Sequence, residues 1–166
     1  MYDSFFLFRP DSIWGFSCKY DDIKSIKKIF EIKKRDKNKP FIVLASSFKE
    51  IESIAYIEKK HKKKKLYGVS LILKSKIKNK YLVKDEKICV RIPSNKKARN
   101  FIKKTGMLIS TSANLSGQKP LNFNELKEKY PNLKHKSFSR KSKPSTIIDL
   151  VENKIVRQGN KKLNVF

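Results

Sequence analysis

Between Ser110 and Gly117 the chain gathers four hydroxyls and one side-chain amide, in the run Ser110-Thr111-Ser112-Ala113-Asn114-Leu115-Ser116-Gly117, directly after the apolar Met107-Leu108-Ile109. Hydroxyls and exposed backbone N–H groups at the carboxyl end of a strand can bind phosphates, carboxylates or metal-bound waters without adding a full charge. An ordinary polar turn has a similar composition, so this loop alone leaves both readings standing. A second stretch, Lys33-Lys34-Arg35-Asp36-Lys37-Asn38-Lys39-Pro40, carries cations at alternating positions. In an extended segment Lys33, Arg35 and Lys39 would point one way and clamp an anion; the plainer reading is a solvated basic loop. Arg91 lies inside the otherwise apolar Ile88-Cys89-Val90-Arg91-Ile92. A buried guanidinium is costly unless paired, so it needs either a carboxylate, with Asp149 the candidate, or a ligand phosphate.

Other chemistries have no foothold. The chain has no GxxxxGKS/T phosphate loop, no GxGxxG fingerprint and no HExxH pair. His61 sits among lysines and His135 among polar residues, and both read as bystanders. Trp14 and Tyr67 read as packing residues. Cys18 and Cys89 are far apart and lack the spacing of a zinc site or a disulfide framework, so plain thiols are expected.

The elements that must position these groups follow from hydrophobic period. Apolar runs predict strands at 5–8, 41–45, 69–73, 88–92, 107–109, 146–150 and 155–157, with a hairpin candidate at 77–83 and a turn at Glu152-Asn153. A helix capped by Asp21 or Asp22 should bury Ile23, Ile26, Ile29 and Phe30. A second, capped by Ser46 or Ser47, should bury Phe48, Ile51, Ile54 and Ala55. The lysine run from Lys59 to Lys65 reads as a solvated loop because like charges repel and no apolar face remains. Ser94 should begin a third helix carrying Ala98, Phe101 and Ile102 and ending at Gly106. A short helix is expected at 123–129, a basic serine-rich stretch at 134–143, and a tail freed at Gly159. Strands alternating with helices imply an α/β domain around a mixed sheet.

With 166 residues, 39% of them hydrophobic, the chain suits one domain. No apolar run approaches the roughly 18 residues of a membrane span, and Met1-Tyr2-Asp3 lacks the basic start of a signal peptide, so a cytoplasmic protein is expected. The net charge of +26 favours phosphate-bearing partners. Yet the excess is lysine, spread over every segment alongside abundant Asn, Ile and Phe, and the arginines are only Arg9, Arg35, Arg91, Arg99, Arg140 and Arg157. Arginine is the better bidentate phosphate and base reader, so the charge speaks less strongly for specific nucleic-acid recognition than its total suggests.

In order and spacing, Val90-Arg91-Ile92-Pro93, Thr111-Ser112-Ala113-Asn114-Leu115-Ser116-Gly117, Pro144-Ser145-Thr146-Ile147-Ile148-Asp149 and Arg157-Gln158-Gly159 resemble the YrdC-like threonylcarbamoyl-adenylate synthases. Lys33-Lys34-Arg35 with the strand after Pro40 is similar to that family's KxR segment, and Asp11-Ser12-Ile13-Trp14-Gly15-Phe16 to its ETVYGL element. The resemblance implies a twisted mixed sheet with flanking helices enclosing a basic concave pocket, in the minimal single-domain form over residues 1–166. It implies that L-threonine, bicarbonate and ATP combine there to give threonylcarbamoyl-AMP and pyrophosphate. Mg²⁺ would accompany ATP, no tightly held cofactor is expected, and a downstream threonylcarbamoyl-transferase complex would use the product to make N6-threonylcarbamoyladenosine in tRNA.

Carried over by motif, Lys33, Arg35 and Ser112 would be catalytic, the first two on the bicarbonate and phosphate side. Ser12, Arg91, Asn114, Ser116, Ser145 and Arg157 would bind ATP or substrate. Where the family has Pro-Thr before its acidic residue, this chain has Arg9-Pro10 before Asp11, which removes a hydroxyl expected near threonine and leaves Ser12 to serve. Trp14 takes the place of the usual tyrosine. Two rival classes stand beside the synthase: a double-stranded RNA-binding or ribosome-assembly factor, with contact to such RNA or to tRNA, and a binding module without catalysis.

Overall fold

In a computed structural model, which describes residues 4–34, 36, 39–64, 66–140 and 143–163, the elements run β1 (Phe6–Arg9), β2 (Gly15–Lys19), α1 (Ile23–Ile32), β3 (Ile42–Leu44), α2 (Phe48–Ile54), α3 (Lys59–Lys63), β4 (Ser70–Lys74), β5 (Val83–Lys84), β6 (Lys87–Arg91), α4 (Lys96–Thr105), β7 (Leu108–Ser112), α5 (Phe123–Lys129), β8 (His135–Ser137), β9 (Ile147–Asp149) and β10 (Lys154–Arg157). The strands described form one mixed sheet in the order β10-β9-β4-β6-β3-β7-β2-β1-β8, with β5 paired to β6. The pairs β3–β6, β4–β9 and β1–β8 are parallel and the others antiparallel, three of these in succession from β3 through β7 and β2 to β1, which makes the sheet mixed as the α/β reading expects.

The two-residue period of the strands divides the sheet into two faces. Leu7, Phe16, Cys18, Ile109, Val43, Val90, Leu71 and Ile148 are linked by register across the sheet and meet Ile26 and Ile29 of α1 and Ile51 and Ile54 of α2 in the main core. On the other face a smaller cluster joins Phe8, Leu44 and Leu108 to Ile102 of α4. The helix caps agree with the residue types. Asp22 accepts from Ser25 N, Ser47 accepts from Glu50 N, and Asn122 with Glu125 closes a reciprocal capping box at α5.

Four expectations need correction. Ile23 is 40% exposed, because it opens α1 before the helix turns its stripe inward. Ser94 does not cap α4; Asn95 does, its side-chain oxygen accepting from Lys97 N and Ala98 N. The expected basic stretch contains β8, whose exposed side chains carry no hydrophobic signal. Finally, the lysine run holds α3, because His61 points inward at 4% exposure while the lysines flank it.

That last arrangement predicts acid sensitivity. Burial first, and the neighbouring Lys60 next, hold the His61 imidazole below its usual value of 6.5, with Glu58 pulling the other way. A depressed base contributes stability that is present above the ordinary imidazole value and is lost as pH falls through the folded value. Acidification from about pH 7.5 to about pH 5 is therefore expected to lower the amide protection factors, taken relative to the intrinsic rate at each pH, at His61 and Lys62, which bond to Glu58 O. His61→Leu should abolish that pH response, and a response that persists in the variant would remove His61 as its cause.

Candidate functional site

The sheet face that carries α4 also carries the chemistry. In register, Ile72, Cys89, Ile42 and Ser110 form one row across β4, β6, β3 and β7, and Ser70, Arg91, Leu44 and Leu108 form the next. Where α4 leaves this face uncovered, a cavity of about 590 Å³ opens, lined by Ile42, Ile72, Cys89, Arg91, Ser110 and Ser112 among others. Gly15 lies in the same wall, in register with Ser112. A Cβ there would sit 2.7 Å from Ser110 Oγ and 2.8 Å from Thr111 O, so only glycine lets β2 approach β7 so closely.

Eight of the residues singled out from the sequence, Ser12, Lys33, Arg91, Ser112, Asn114, Ser116, Ser145 and Arg157, line this one cavity, and Lys39 joins them. Arg35 lies outside the described residues. No Asp or Glu lines the cavity among the described residues.

Arg91 is 5% exposed and points from β6 to the loop between β1 and β2. Its Nη2 donates to Asp11 Oδ1 at 2.5 Å and its Nη1 to Ser12 Oγ at 2.8 Å. The other carboxylate oxygen of Asp11 accepts from Ser94 N at 2.6 Å and Ser94 Oγ at 2.7 Å. Asp11 therefore joins three segments distant in sequence: its own loop, the end of β6 and the approach to α4. The carboxylate partner of Arg91 is Asp11 and not Asp149, which instead accepts from Lys87 Nζ at 3.1 Å and from the backbone N–H groups of Val151 and Glu152. Burial lowers the guanidinium pKa of Arg91, with Asp11 opposing, and burial lowers that of Arg157. Arg91 Nε is buried without an acceptor among the described residues, as are Trp14 Nε1 and Ser17 Oγ.

Lys33, just past the end of α1, is 1% exposed. Its ammonium donates to Ser112 O, to Asn114 O at 2.7 Å and to Asn114 Oδ1 at 3.1 Å, while Ser116 N returns a bond of 3.0 Å to Lys33 O. Ser112 Oγ lies 2.6 Å from the same Asn114 Oδ1. The basic segment and the hydroxyl loop, read separately in the sequence, are thus one unit in which Lys33 holds the loop. Opposite, Arg157 donates to Ser145 O through Nε at 3.1 Å and Nη2 at 2.8 Å, and Ser145 Oγ meets Ser70 Oγ at 2.8 Å. Trp14 packs as expected, stacked on Phe123 with centroids 5.0 Å apart and Arg9 4.8 Å from its ring. Both cysteines are free, and burial pushes each thiol up to about 12.

Sequence reasoning missed Asp11 and Ser94 as the clamp on Arg91. No periodic signal in the sequence marks them; in the structure Gly68, at φ +76°, lies beside the clamp, where a Cβ would sit 3.3 Å from Asp11 Oδ2. The donors around the cavity are hydroxyls, amides and cations rather than carboxylates, and no cluster of three or more His, Cys, Asp or Glu forms among the described residues. That set does not fit a protein-held Mg²⁺.

Fold and cavity together define an α/β protein with a site on one face of a mixed sheet that is lined by Lys33, Lys39, Arg91 and Arg157 and, among the described residues, by no carboxylate. The chain belongs to the Sua5/YciO/YrdC family, described as telomere recombination, whose pattern matches residues 4–159. Threonylcarbamoyl-AMP synthase of Chromobacterium violaceum is 27% identical over 163 residues, covering 90% of this chain and 84% of that protein. A protein of Methanocaldococcus jannaschii, provisionally named a threonylcarbamoyl-AMP synthase, is 33% identical over 162 residues, covering 90% of this chain and 76% of its own. Among solved structures, E. coli YciO superposes with a TM-score of 0.81 at 21% identity over 98% of this chain and 86% of its own. P. abyssi Sua5 complexed with L-threonine gives 0.80 at 23% identity over 95% of this chain. The chain spans about half, 51%, of that Sua5. Among the described residues no helix is long and apolar enough to cross a membrane.

Proposed function

We propose that this chain is an L-threonylcarbamoyladenylate synthase, a nucleotidyltransferase that joins L-threonine, bicarbonate and ATP to give threonylcarbamoyl-AMP and pyrophosphate for N6-threonylcarbamoyladenosine formation in tRNA. The observation that carries the reading is the convergence of Lys33, Arg91 and Arg157 with the hydroxyls of Ser12, Ser112 and Ser116 on one cavity that no carboxylate lines among the described residues, with Arg91 buried in β6 and Arg157 exposed on β10. Asp11 already balances the charge of Arg91, whose Nε has no acceptor among the described residues, and Arg157 is bonded to the neutral carbonyl of Ser145, so an entering anion meets an N–H donor and a positive charge. Bicarbonate, carbamate and triphosphate are all anions. Their reaction needs fixed cations and donors more than a nucleophilic side chain.

The threonine amine attacks the carbon of bicarbonate, and water leaves to give a carbamate. A carbamate oxygen then attacks the α-phosphorus of ATP and pyrophosphate departs. Arg91 and Arg157 hold anionic oxygens, and the loop from Ser112 to Ser116, fixed by Lys33, presents N–H and hydroxyl donors. Mg²⁺ would come as part of the ATP substrate and would neutralise part of its charge, with no residue of the cavity holding it. The names of the relatives and the L-threonine in the Sua5 complex support the choice of substrates.

Purified protein with ATP, Mg²⁺ and bicarbonate is expected to release pyrophosphate only when L-threonine is present, and Ser112→Ala should slow that release. Release indifferent to threonine would sink the synthase. A folded protein that binds ATP without turnover would favour a binding role.

A further inference from the structure

The tail after β10 is not free. Gly159 N and Lys161 N both donate to Thr146 Oγ1, at 3.1 and 3.2 Å, and Thr146 Oγ1 donates back to Lys161 O at 2.5 Å. One hydroxyl has a single proton and two lone pairs, so all three capacities of Thr146 are used. Asn160 adds two bonds, accepting from Thr146 N at 3.3 Å and donating from its own N to Pro144 O at 2.9 Å. Gly159 fits flat against this segment: a Cβ on it would lie 2.4 Å from Pro144 O and Ser145 C. Thr146 itself is fully buried, and its carbonyl accepts from Ser70 N at the start of β4 at 2.9 Å.

What the clasp encloses is the arginine wall of the cavity. Arg157 comes two residues before Gly159, and its guanidinium is held by the carbonyl of Ser145, the residue before Thr146. The aim of Arg157 therefore depends on two chain segments being fixed side by side, and β9–β10 pairing alone is irregular there, with a register shift between Ile155 and Arg157. We propose that Thr146 is a positioning residue that acts through Ser145 and Arg157, setting the grip of the site on an anionic nucleotide without touching the reacting atoms. This rests on the reading of the cavity as an ATP site.

The test uses the full chain in three forms beside the native one: Thr146→Val, Thr146→Ser and Asn160→Ala. Thr146→Val keeps shape and loses the hydroxyl. It is expected to speed amide exchange at Gly159 and Lys161, to weaken ATP binding in calorimetry about tenfold, and to raise the KM for ATP with kcat within about twofold. Thr146→Ser should restore all three. If Thr146→Val fails to fold, the half-buried Asn160→Ala carries the test with the same signs and smaller size. Unchanged exchange at Gly159 and Lys161, or faster exchange with undiminished ATP affinity, would overturn the proposal. The exchange and calorimetry need no turnover, so a native chain that binds ATP but releases no pyrophosphate would count against the synthase reading alone. A native chain that does not bind ATP would overturn both.

Discussion

Asp11→Ala is expected to destabilise the protein by about 3–5 kcal/mol, because it strands the Arg91 guanidinium in a site where only Ser12 remains to receive it. The same change leaves Ser94 N and its hydroxyl without their acceptor. A domain of ordinary stability has about 5–15 kcal/mol in total, so the variant should unfold at a much lower urea concentration. The two side chains are 3% and 6% exposed, which separates this pair from surface ion pairs of little worth. A double change discriminates the cause. Asp11→Leu with Arg91→Met removes both charges at similar volume, and such swaps are often near neutral. The double variant should regain part of the stability, short of all because Ser94 N stays orphaned, and should have no synthase activity. If Asp11→Ala shifts the transition by less than about 1 kcal/mol, or the double variant is worse than the sum of the single changes, the pair does not hold the site.

The placement of that pair shows where sequence reading stops. Ile88, Val90 and Ile92 announced a strand by their apolar character, and Arg91 within it announced a buried cation. Its partner lies 80 positions away in a loop with no periodic signal, whereas Asp149, in another apolar strand, had the more conspicuous setting. Short-range chemistry was legible: Asp22, Ser47 and the span of α5 were all recoverable from capping residues and helical spacing. Backbone-only signals were not. The short strand β8 is held to β1 by main-chain pairing, and its exposed side chains add only contacts at the surface, His135 edge-on to Phe123 and Ser137 Oγ accepting from Arg9 Nε. α3 depends on one buried imidazole that sequence alone cannot distinguish from a bystander in a lysine run. Of the eight cavity residues, Lys33, Arg91 and those of the loop from Ser112 to Ser116 stood out by residue type and setting, whereas Ser12, Ser145 and Arg157 came only from the resemblance to the family's motifs. What each of them does required distances. Lys33 was read as an anion clamp, and its ammonium is committed to the oxygens of the loop that follows β7.

That commitment leads to the second large effect. Lys33→Met preserves the apolar stem and removes the ammonium, leaving Ser112 O, Asn114 O and Asn114 Oδ1 without this donor. A buried acceptor stripped of its partner costs about 1–3 kcal/mol, so the ligand-free protein should melt several degrees lower. Displacing the hydroxyl loop by as little as about 1 Å is enough to cost a hundredfold in rate, and threonine-dependent pyrophosphate release should fall by about that factor. Lys33→Arg should not rescue it, because a planar guanidinium cannot converge on three oxygens placed around a tetrahedral ammonium. The two readings of Lys33 separate on the melting temperature without substrate. A residue that only touches bicarbonate or phosphate would lose turnover and leave the ligand-free melt where it was. A residue that holds the loop loses both together, and protease sensitivity at residues 112–118 should rise in the same variant. Loss of turnover with an unchanged ligand-free melt would return Lys33 to the role of direct anion ligand.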